Sequence, residues 1–107
     1  MSDHWILDAD GNPVQAELME WARWFETNSR TVARDHVTDA VRVSTVFLGL
    51  DHRFGDKGDP VLWETMIFGF PGGHKLDGYQ DRYSSKQAAL DGHARALVLA
   101  REAAETK

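Results

Sequence analysis

The 107-residue chain has no cysteine and has fewer basic than acidic residues. Without cysteine it can form no disulfide framework, thiolate nucleophile or cysteine-based zinc site, and a cytosolic setting fits. Twelve Lys and Arg against seventeen Asp and Glu give a formal net charge of -5, and the basic residues are scattered along the chain. Binding to a phosphate backbone needs a concentrated basic surface, so we expect no direct nucleic-acid binding.

A membrane span and a secretion signal are also missing from the sequence. No apolar run approaches the ~20 residues that cross a bilayer, and the first four residues lack the basic and apolar regions of a signal peptide. We therefore expect a cytoplasmic protein that does not enter a membrane. A hydrophobic content of 42%, with four Trp, five Phe and two Tyr, is typical of one folded domain over residues 1–107.

A cluster of turn-forming residues follows a short apolar run at residues 5–7. Asp8 and Asp10 resemble the start of an EF-hand calcium loop, but Pro13 occupies the place of the invariant glycine and Met19 that of the bidentate glutamate. A turn that leads into a helix is the better interpretation. Asn12 can cap that helix, and apolar residues at helical spacing predict that it covers residues 13–27.

Four runs of β-favouring residues follow, at residues 31–37, 41–50, 61–69 and 79–83. The two long runs are joined by a polar, glycine-bearing loop at residues 51–60 and most simply form a hairpin. The prediction is an α+β fold in which an antiparallel meander of three to four strands has an N-terminal and a C-terminal helix packed on one face.

Ser84, with Gln87 three residues later, predicts the start of the C-terminal helix. Its inner stripe is expected to contain Ala89, His93, Ala96, Leu97, Ala100 and Ala104. Gly92 within this helix costs about 1 kcal/mol of helix propensity relative to alanine, so we expect a packing reason for it.

A hairpin centred in its loop would pair Phe47 with Glu64 and Leu48 with Trp63. In that register both faces of the hairpin are rich in apolar side chains, and two helices cover only one face of a four-stranded sheet. An uncovered apolar face favours self-association or a protein partner. We therefore expect a protein partner, with a homodimer as the alternative.

Four residues are candidates for catalysis or metal binding: Asp51, His52, Glu64 and His93. Carboxylates and neutral imidazoles can bind a divalent metal or perform acid–base chemistry, so a small metal-dependent or acid–base enzyme is the alternative function. Their spacing matches no recognised metal motif. Because the chain also has no phosphate-binding loop and no nucleophile elbow, we expect no cofactor.

Structural roles compete with catalytic ones at two of these positions. A carboxylate in an apolar strand must be paired, and Glu64 has Arg42, Arg82, Tyr83 and His93 as available partners. A lone histidine on the inner face of a helix, such as His93, is usually a hydrogen-bonded core residue.

Several stretches resemble a set of small, uncharacterised proteins encoded by tailed bacteriophages and prophages. They are residues 43–52 (VSTVFLGLDH) with Phe54, residues 62–69 (LWETMIFG), Arg82-Tyr83-Ser84 and Gly92-His93. The resemblance extends over most of the chain from Trp21 onward and departs at Phe70, where a second glycine is expected. It implies a phage or prophage origin, in a bacterial host cell, and it offers no established activity or catalytic residues to carry over to this chain.

Small soluble accessory proteins of phages often act by binding a host protein, including defence systems. By this analogy the favoured function is a non-catalytic phage accessory protein that acts by protein–protein interaction. A minor virion or assembly component is a further alternative.

Overall fold

Four consecutive strands pair in chain order and form the main antiparallel sheet. The computed structural model describes residues 3–53 and 58–105. Its elements are β1 (Trp5–Leu7), β2 (Pro13–Gln15), α1 (Leu18–Thr27), β3 (Thr31–His36), β4 (Arg42–Phe47), β5 (Trp63–Phe68), β6 (Gln80–Tyr83) and α2 (Lys86–Glu105). The sheet order is β3-β4-β5-β6, while β1 and β2 form a separate two-stranded sheet. The predicted α+β fold, an antiparallel meander with one helix before it and one after it, is confirmed.

No helix within these ranges is long and apolar enough to cross a membrane. The predicted loop between the two long strands is described up to Arg53 and again from Gly58. Its middle part, which includes Phe54 and Gly55, lies outside the described residues.

The start of the predicted first helix is a strand instead, because β2 pairs with β1. Asp8 closes the turn between them: its Oδ1 accepts hydrogen bonds from the backbone N–H groups of Asp10 and Asn12, each at 2.9 Å. A carboxylate that binds nearby backbone N–H groups in this way stabilises a turn. The chain therefore reverses where a helix was expected. Helix α1 begins only at Leu18 and ends, as predicted, at Thr27.

Helix α1 lies against the end of β4. The Trp24 ring meets the Phe47 ring edge-on, with 5.8 Å between their centroids, and the Trp21 indole donates its Nε1–H to the carbonyl of Gly49 at 2.9 Å. Gly49 has a φ of +75°, and a β-carbon there would lie 2.1 Å from the ring of Phe25. This position therefore requires glycine, and α1 closes one end of the sheet.

Helix α2 covers one side of the sheet, which we call the core face. The inner side of the helix is buried and consists of Ala89, Gly92, His93, Ala96 and Ala100. The predicted stripe is confirmed at four of these positions, while Leu97 and Ala104 are half-buried. The helix cap is Ser85, one residue after the predicted Ser84, because the Ser85 Oγ accepts the N–H of Ala88 at 3.0 Å.

Gly92 has the packing reason that was expected of it. A β-carbon at this position would lie 2.0 Å from the hydroxyl oxygen of Tyr83 and 2.3 Å from the adjoining ring carbon. Tyr83 belongs to β6 and is buried. The helix can approach the sheet this closely only because residue 92 has no side chain.

The register between β4 and β5 differs from the predicted one by a single residue. Phe47 lies opposite Trp63 and not opposite Glu64. The loop is not symmetrical, because the chain leaves the strand at Gly49 and backbone pairing to the start of β5 resumes only at the N–H of His52. Side chains alternate along a strand, so this shift places Glu64 on the other side of the sheet from the one predicted.

The second side of the sheet, which we call the open face, is mixed in character and not apolar. Three rows of side chains cross it: Thr31, Val46, Glu64 and Arg82; then Arg34, Ser44, Met66 and Gln80; then His36, Arg42 and Phe68. Among the described elements, α2 contacts the strands from the core face, and α1 and the β1–β2 hairpin do not pack on the open face. The prediction of two apolar faces is wrong, but one face is left uncovered by the helices.

Candidate functional site

The four candidate residues lie at three separate places in the fold. Asp51 and His52 are in the loop after β4, Glu64 is on the open face, and His93 faces the core side from α2. Glu64 and His93 are therefore on opposite sides of the sheet and cannot share a substrate or a metal ion. Within residues 3–53 and 58–105, no group of three or more His, Asp or Glu is placed to hold a metal. The hypothesis that the four side chains converge on one site is therefore wrong.

His93 belongs to a chain of hydrogen bonds that crosses the core face. Its Nδ1 lies 2.7 Å from Thr45 Oγ1, which lies 2.5 Å from Thr65 Oγ1, and its Nε2 lies 2.8 Å from Asp35 Oδ2. When the neutral ring carries its proton on Nε2, each hydroxyl donates towards the histidine and the histidine donates to the carboxylate. Both threonines are fully buried, so neither hydroxyl can reach a substrate. His93 is thus a hydrogen-bonded core residue.

Two polar side-chain atoms of the core are buried without a hydrogen-bond partner among the described residues: Trp63 Nε1 and Tyr83 Oη. Burial raises the pKa of the Tyr83 phenol. The neighbouring Thr65 hydroxyl opposes that rise, although its geometry is not that of a hydrogen bond to Tyr83. Tyr83 therefore stays neutral and contributes its ring to packing.

Glu64 forms a structural ion pair on the open face. Its Oε2 accepts a hydrogen bond from Arg82 Nε at 2.9 Å and another from Gln80 Nε2 at 2.6 Å. Both partners come from β6, the strand next to β5. The structural interpretation of Glu64 is confirmed, and Arg82 is the partner that it uses.

Asp51 organises the start of the loop after β4. Its Oδ1 accepts the backbone N–H groups of Arg53 at 2.9 Å and Val61 at 3.0 Å, and its Oδ2 lies 2.8 Å from Arg53 Nε. Burial alone raises the pKa of Asp51, but the two backbone N–H groups and the Arg53 guanidinium together outweigh it, so the pKa lies below its ordinary value. His52 is exposed, with its Nδ1 2.8 Å from the Leu50 carbonyl. The contacts of both residues therefore stabilise the conformation of the loop.

The open face combines an apolar centre with arginines at its margins. Met66 and Phe68 are half-buried in β5, and the Arg42 guanidinium lies over the Phe68 ring at 4.3 Å from its centroid. Each edge strand adds one arginine, Arg34 from β3 and Arg82 from β6. The three arginines are distant in sequence and come together only through strand register. Alternation in β4, where Arg42 precedes a buried valine, was the one signal that could have indicated this face.

No protein-family model, curated protein or solved structure matches the chain. The resemblance to phage proteins therefore stays a prediction. Among the described surfaces, the open face is the one that its exposed side chains distinguish as a candidate site.

The Asp51 interactions predict a pH-dependent contribution to stability. Asp51→Ala is expected to lower the free energy of unfolding by about 2 kcal/mol, because two backbone N–H groups lose their acceptor. Asp51→Asn keeps an oxygen for those groups and loses the ion pair, so about 1 kcal/mol is expected. The folded-state pKa is lowered, so the carboxylate's contribution is present above the unfolded-state pKa of about 4 and is lost as the pH falls through the folded-state pKa.

Urea unfolding of wild type and Asp51→Asn between about pH 7 and about pH 3 checks this expectation. The difference between the two proteins should shrink towards acid. Asp39→Asn, at an exposed position in the turn before β4, is the matched control and should leave stability unchanged. A difference that is constant over the whole range would contradict the assignment.

Proposed function

We propose that this is a non-catalytic binding protein that contacts another protein through the open face, as an accessory factor of phage or prophage origin. The observation that supports the proposal is a sheet face on which neither helix packs, with Met66 half-exposed at its centre and Phe68 half-exposed in the next row. Exposed apolar side chains that are rimmed by polar residues are typical of interaction sites.

The composition of the open face is typical of protein interfaces. Its three rows contain three arginines, a methionine and a phenylalanine, and no lysine. Arginine, methionine and aromatic residues are enriched at interfaces, whereas lysine is depleted. This composition favours a protein partner over a surface that only provides solubility.

Contacts on the core face hold the strands of the open face in place. Its strands are held by α2 and by the buried contacts of Thr45, Thr65 and His93 on the core face. A surface carried by paired strands loses little conformational entropy on binding. The candidate residues for acid–base chemistry, in contrast, are each occupied by structural partners, which leaves the open face as the best-supported site.

Affinity capture with a blocked open face tests the proposal. Ser44 is half-buried in the middle row, between Arg34 and Met66. Tyrosine is favoured in strands, so Ser44→Tyr should fold, as checked by circular dichroism, while its ring covers the centre of the face. The expected result, measured by quantitative mass spectrometry of bacterial cells that carry the gene, is an about tenfold loss of the captured partner.

Val98→Tyr is the matched control, because residue 98 is 51% exposed on the outer side of α2. It adds the same ring elsewhere and should capture the partner as well as wild type does. Equal capture by Ser44→Tyr would place the contact outside the open face. Recovery of background proteins alone, with wild type as bait, would count against a protein partner.

A further inference from the structure

Charge is distributed unevenly between the open face and the rest of the chain. The three rows carry Arg34, Arg42 and Arg82, and Glu64 is their only acid. The whole chain, however, has seventeen acidic residues and twelve Lys and Arg. The open face is therefore net positive on a protein that is net negative.

The arginines of this face retain hydrogen-bond donors. Arg34 and Arg42 form no ion pair with a described residue, and Arg42 contacts the Phe68 ring through its guanidinium carbon. Arg82 donates from Nε to Glu64, and a guanidinium has four further N–H donors. The planar guanidinium matches the two oxygens of a carboxylate, with which it can form paired hydrogen bonds.

The positions of these donors define the dimensions of a ligand. Arg34 and Arg82 are on the two edge strands and in neighbouring rows. Three strand spacings and one row, which is two residues along a strand, correspond to about 16 Å between their backbones. The apolar residues Val46 and Met66 lie between them. An extended segment spans this distance in about five residues.

We infer that the open face binds an acidic segment of a partner protein, in which carboxylates about four or five residues apart flank a large apolar side chain. The inference rests on the function proposed above and specifies the chemistry of the partner. The carboxylates pair with Arg34 and Arg82, and the apolar side chain packs on Met66 next to the stacked Arg42 and Phe68.

Two other occupants fit the open face less well. A nucleic-acid strand needs rings on which its bases stack, but Phe68 is the only phenyl or indole ring in the three rows and Arg42 lies over it. The net charge of -5 also repels a long polyanion more strongly than a short segment with a few carboxylates. A second copy docked face to face would set arginines against arginines, because each face offers one acid that is already paired.

Fluorescence anisotropy with defined probes tests the inference. The first probe is a labelled peptide of about nine residues, with a central Leu-Phe pair and two flanking acids on each side. The second is the same peptide with every acid replaced by its amide, and the third is single-stranded oligothymidine. We expect the acidic peptide to bind at least about tenfold more tightly than the amide peptide, and more weakly as salt rises.

The variant Arg34→Gln/Arg42→Gln is expected to weaken binding of the acidic peptide by about tenfold. Arg95→Gln/Arg101→Gln removes the same charge from exposed positions on α2 and should bind like wild type. The inference is overturned by equal affinity for the two peptides, by an equal loss in both double variants, or by tighter binding of oligothymidine. A dimer in analytical ultracentrifugation that Ser44→Tyr dissociates would assign the face to a second copy and also overturn it.

Capture of the cellular partner separates this inference from the function proposed above. A partner that is lost with Ser44→Tyr but retained with Arg34→Gln/Arg42→Gln supports protein binding by the open face and overturns the acidic occupant. A partner retained by both variants overturns both proposals, and one lost with both variants supports both.

Discussion

Gly69→Ala is expected to lower the free energy of unfolding by more than about 3 kcal/mol, the largest effect that we expect from alanine at any described glycine. Gly69 follows β5 with a φ of +104°, and a β-carbon there would lie 1.8 Å from the carbonyl oxygen of Ala40 and 2.6 Å from its carbonyl carbon. The clash is with backbone atoms of Ala40, so no change of side-chain rotamer can relieve it. The added methyl group would push apart the ends of β4 and β5.

Two glycines of the next loop provide matched controls. Gly73 has a φ of +87° with no atom within 4 Å of its β-carbon position, so Gly73→Ala isolates the cost of the backbone conformation, about 1 kcal/mol. Gly72 has neither a positive φ nor a close neighbour, because the atom nearest to its β-carbon position is a carboxylate oxygen of Asp77 at 3.9 Å. Gly72→Ala should therefore leave stability unchanged. Thermal and urea unfolding of the three variants measure the differences. Equal destabilisation at residues 69 and 73 would show that the contact with Ala40 costs nothing.

His93→Leu is expected to destabilise the protein by about 2–3 kcal/mol. The substitution removes the acceptor of the buried Thr45 hydroxyl and the partner of Asp35, while it keeps a side chain of similar bulk in the core. A buried hydroxyl without a hydrogen-bond partner destabilises the folded protein more than an apolar group of the same shape does. Urea unfolding gives the free-energy difference.

The variant Thr45→Val/Thr65→Val/His93→Leu tests the physical reason for that loss. It replaces the buried hydrogen-bonded groups by apolar ones of similar shape, so we expect it to recover at least about half of the stability lost in His93→Leu. Asp35→Asn is the control at the other end of the chain of hydrogen bonds. The Asp35 side chain is 50% exposed, and the expected loss is under about 1 kcal/mol. A triple variant no more stable than His93→Leu would mean that packing, not hydrogen bonding, makes His93 important.

Much of the fold follows from local patterns. The β-rich runs and the C-terminal helix were predictable because alternation and helical spacing continue over several turns or residue pairs. Gly92 was informative because a glycine inside a helix has a known cost, and Tyr83 supplies the reason. Glu64 was recognised as a carboxylate that needs a partner, although four partners were available.

The predicted start of the first helix and the predicted hairpin register are wrong for specific physical reasons. Asn12 and Pro13 would suit a helix start, but the Asp8 carboxylate binds the N–H groups of Asp10 and Asn12 and stabilises a turn. The departure of the chain from β4 at Gly49 shifted the hairpin by one residue, and that shift moved Glu64 away from the side that His93 occupies.

Alternation in β4 indicates one strand of the open face, but the face as a whole was not predictable from local patterns. Arg34, Arg42 and Arg82 belong to three different strands, and only the pairing of β3, β4, β5 and β6 places them on one surface. Thr45 and Thr65 were equally ambiguous, because threonine is a strand former whether or not its hydroxyl has a buried partner.

The position of α2 after all four strands has a consequence during synthesis of the chain. Until residues 86–105 have been added, Val43 and Ile67 lack the helix against which they pack. At about 5–20 residues per second, the ribosome needs about 1–4 s to make this helix. Neighbouring strands can already form hairpins in that interval, and their core face is open to other nascent chains. The open face carries three arginines and one acid, and like charges disfavour contact between two such faces. Each unfinished meander therefore has one surface that favours aggregation, its core face.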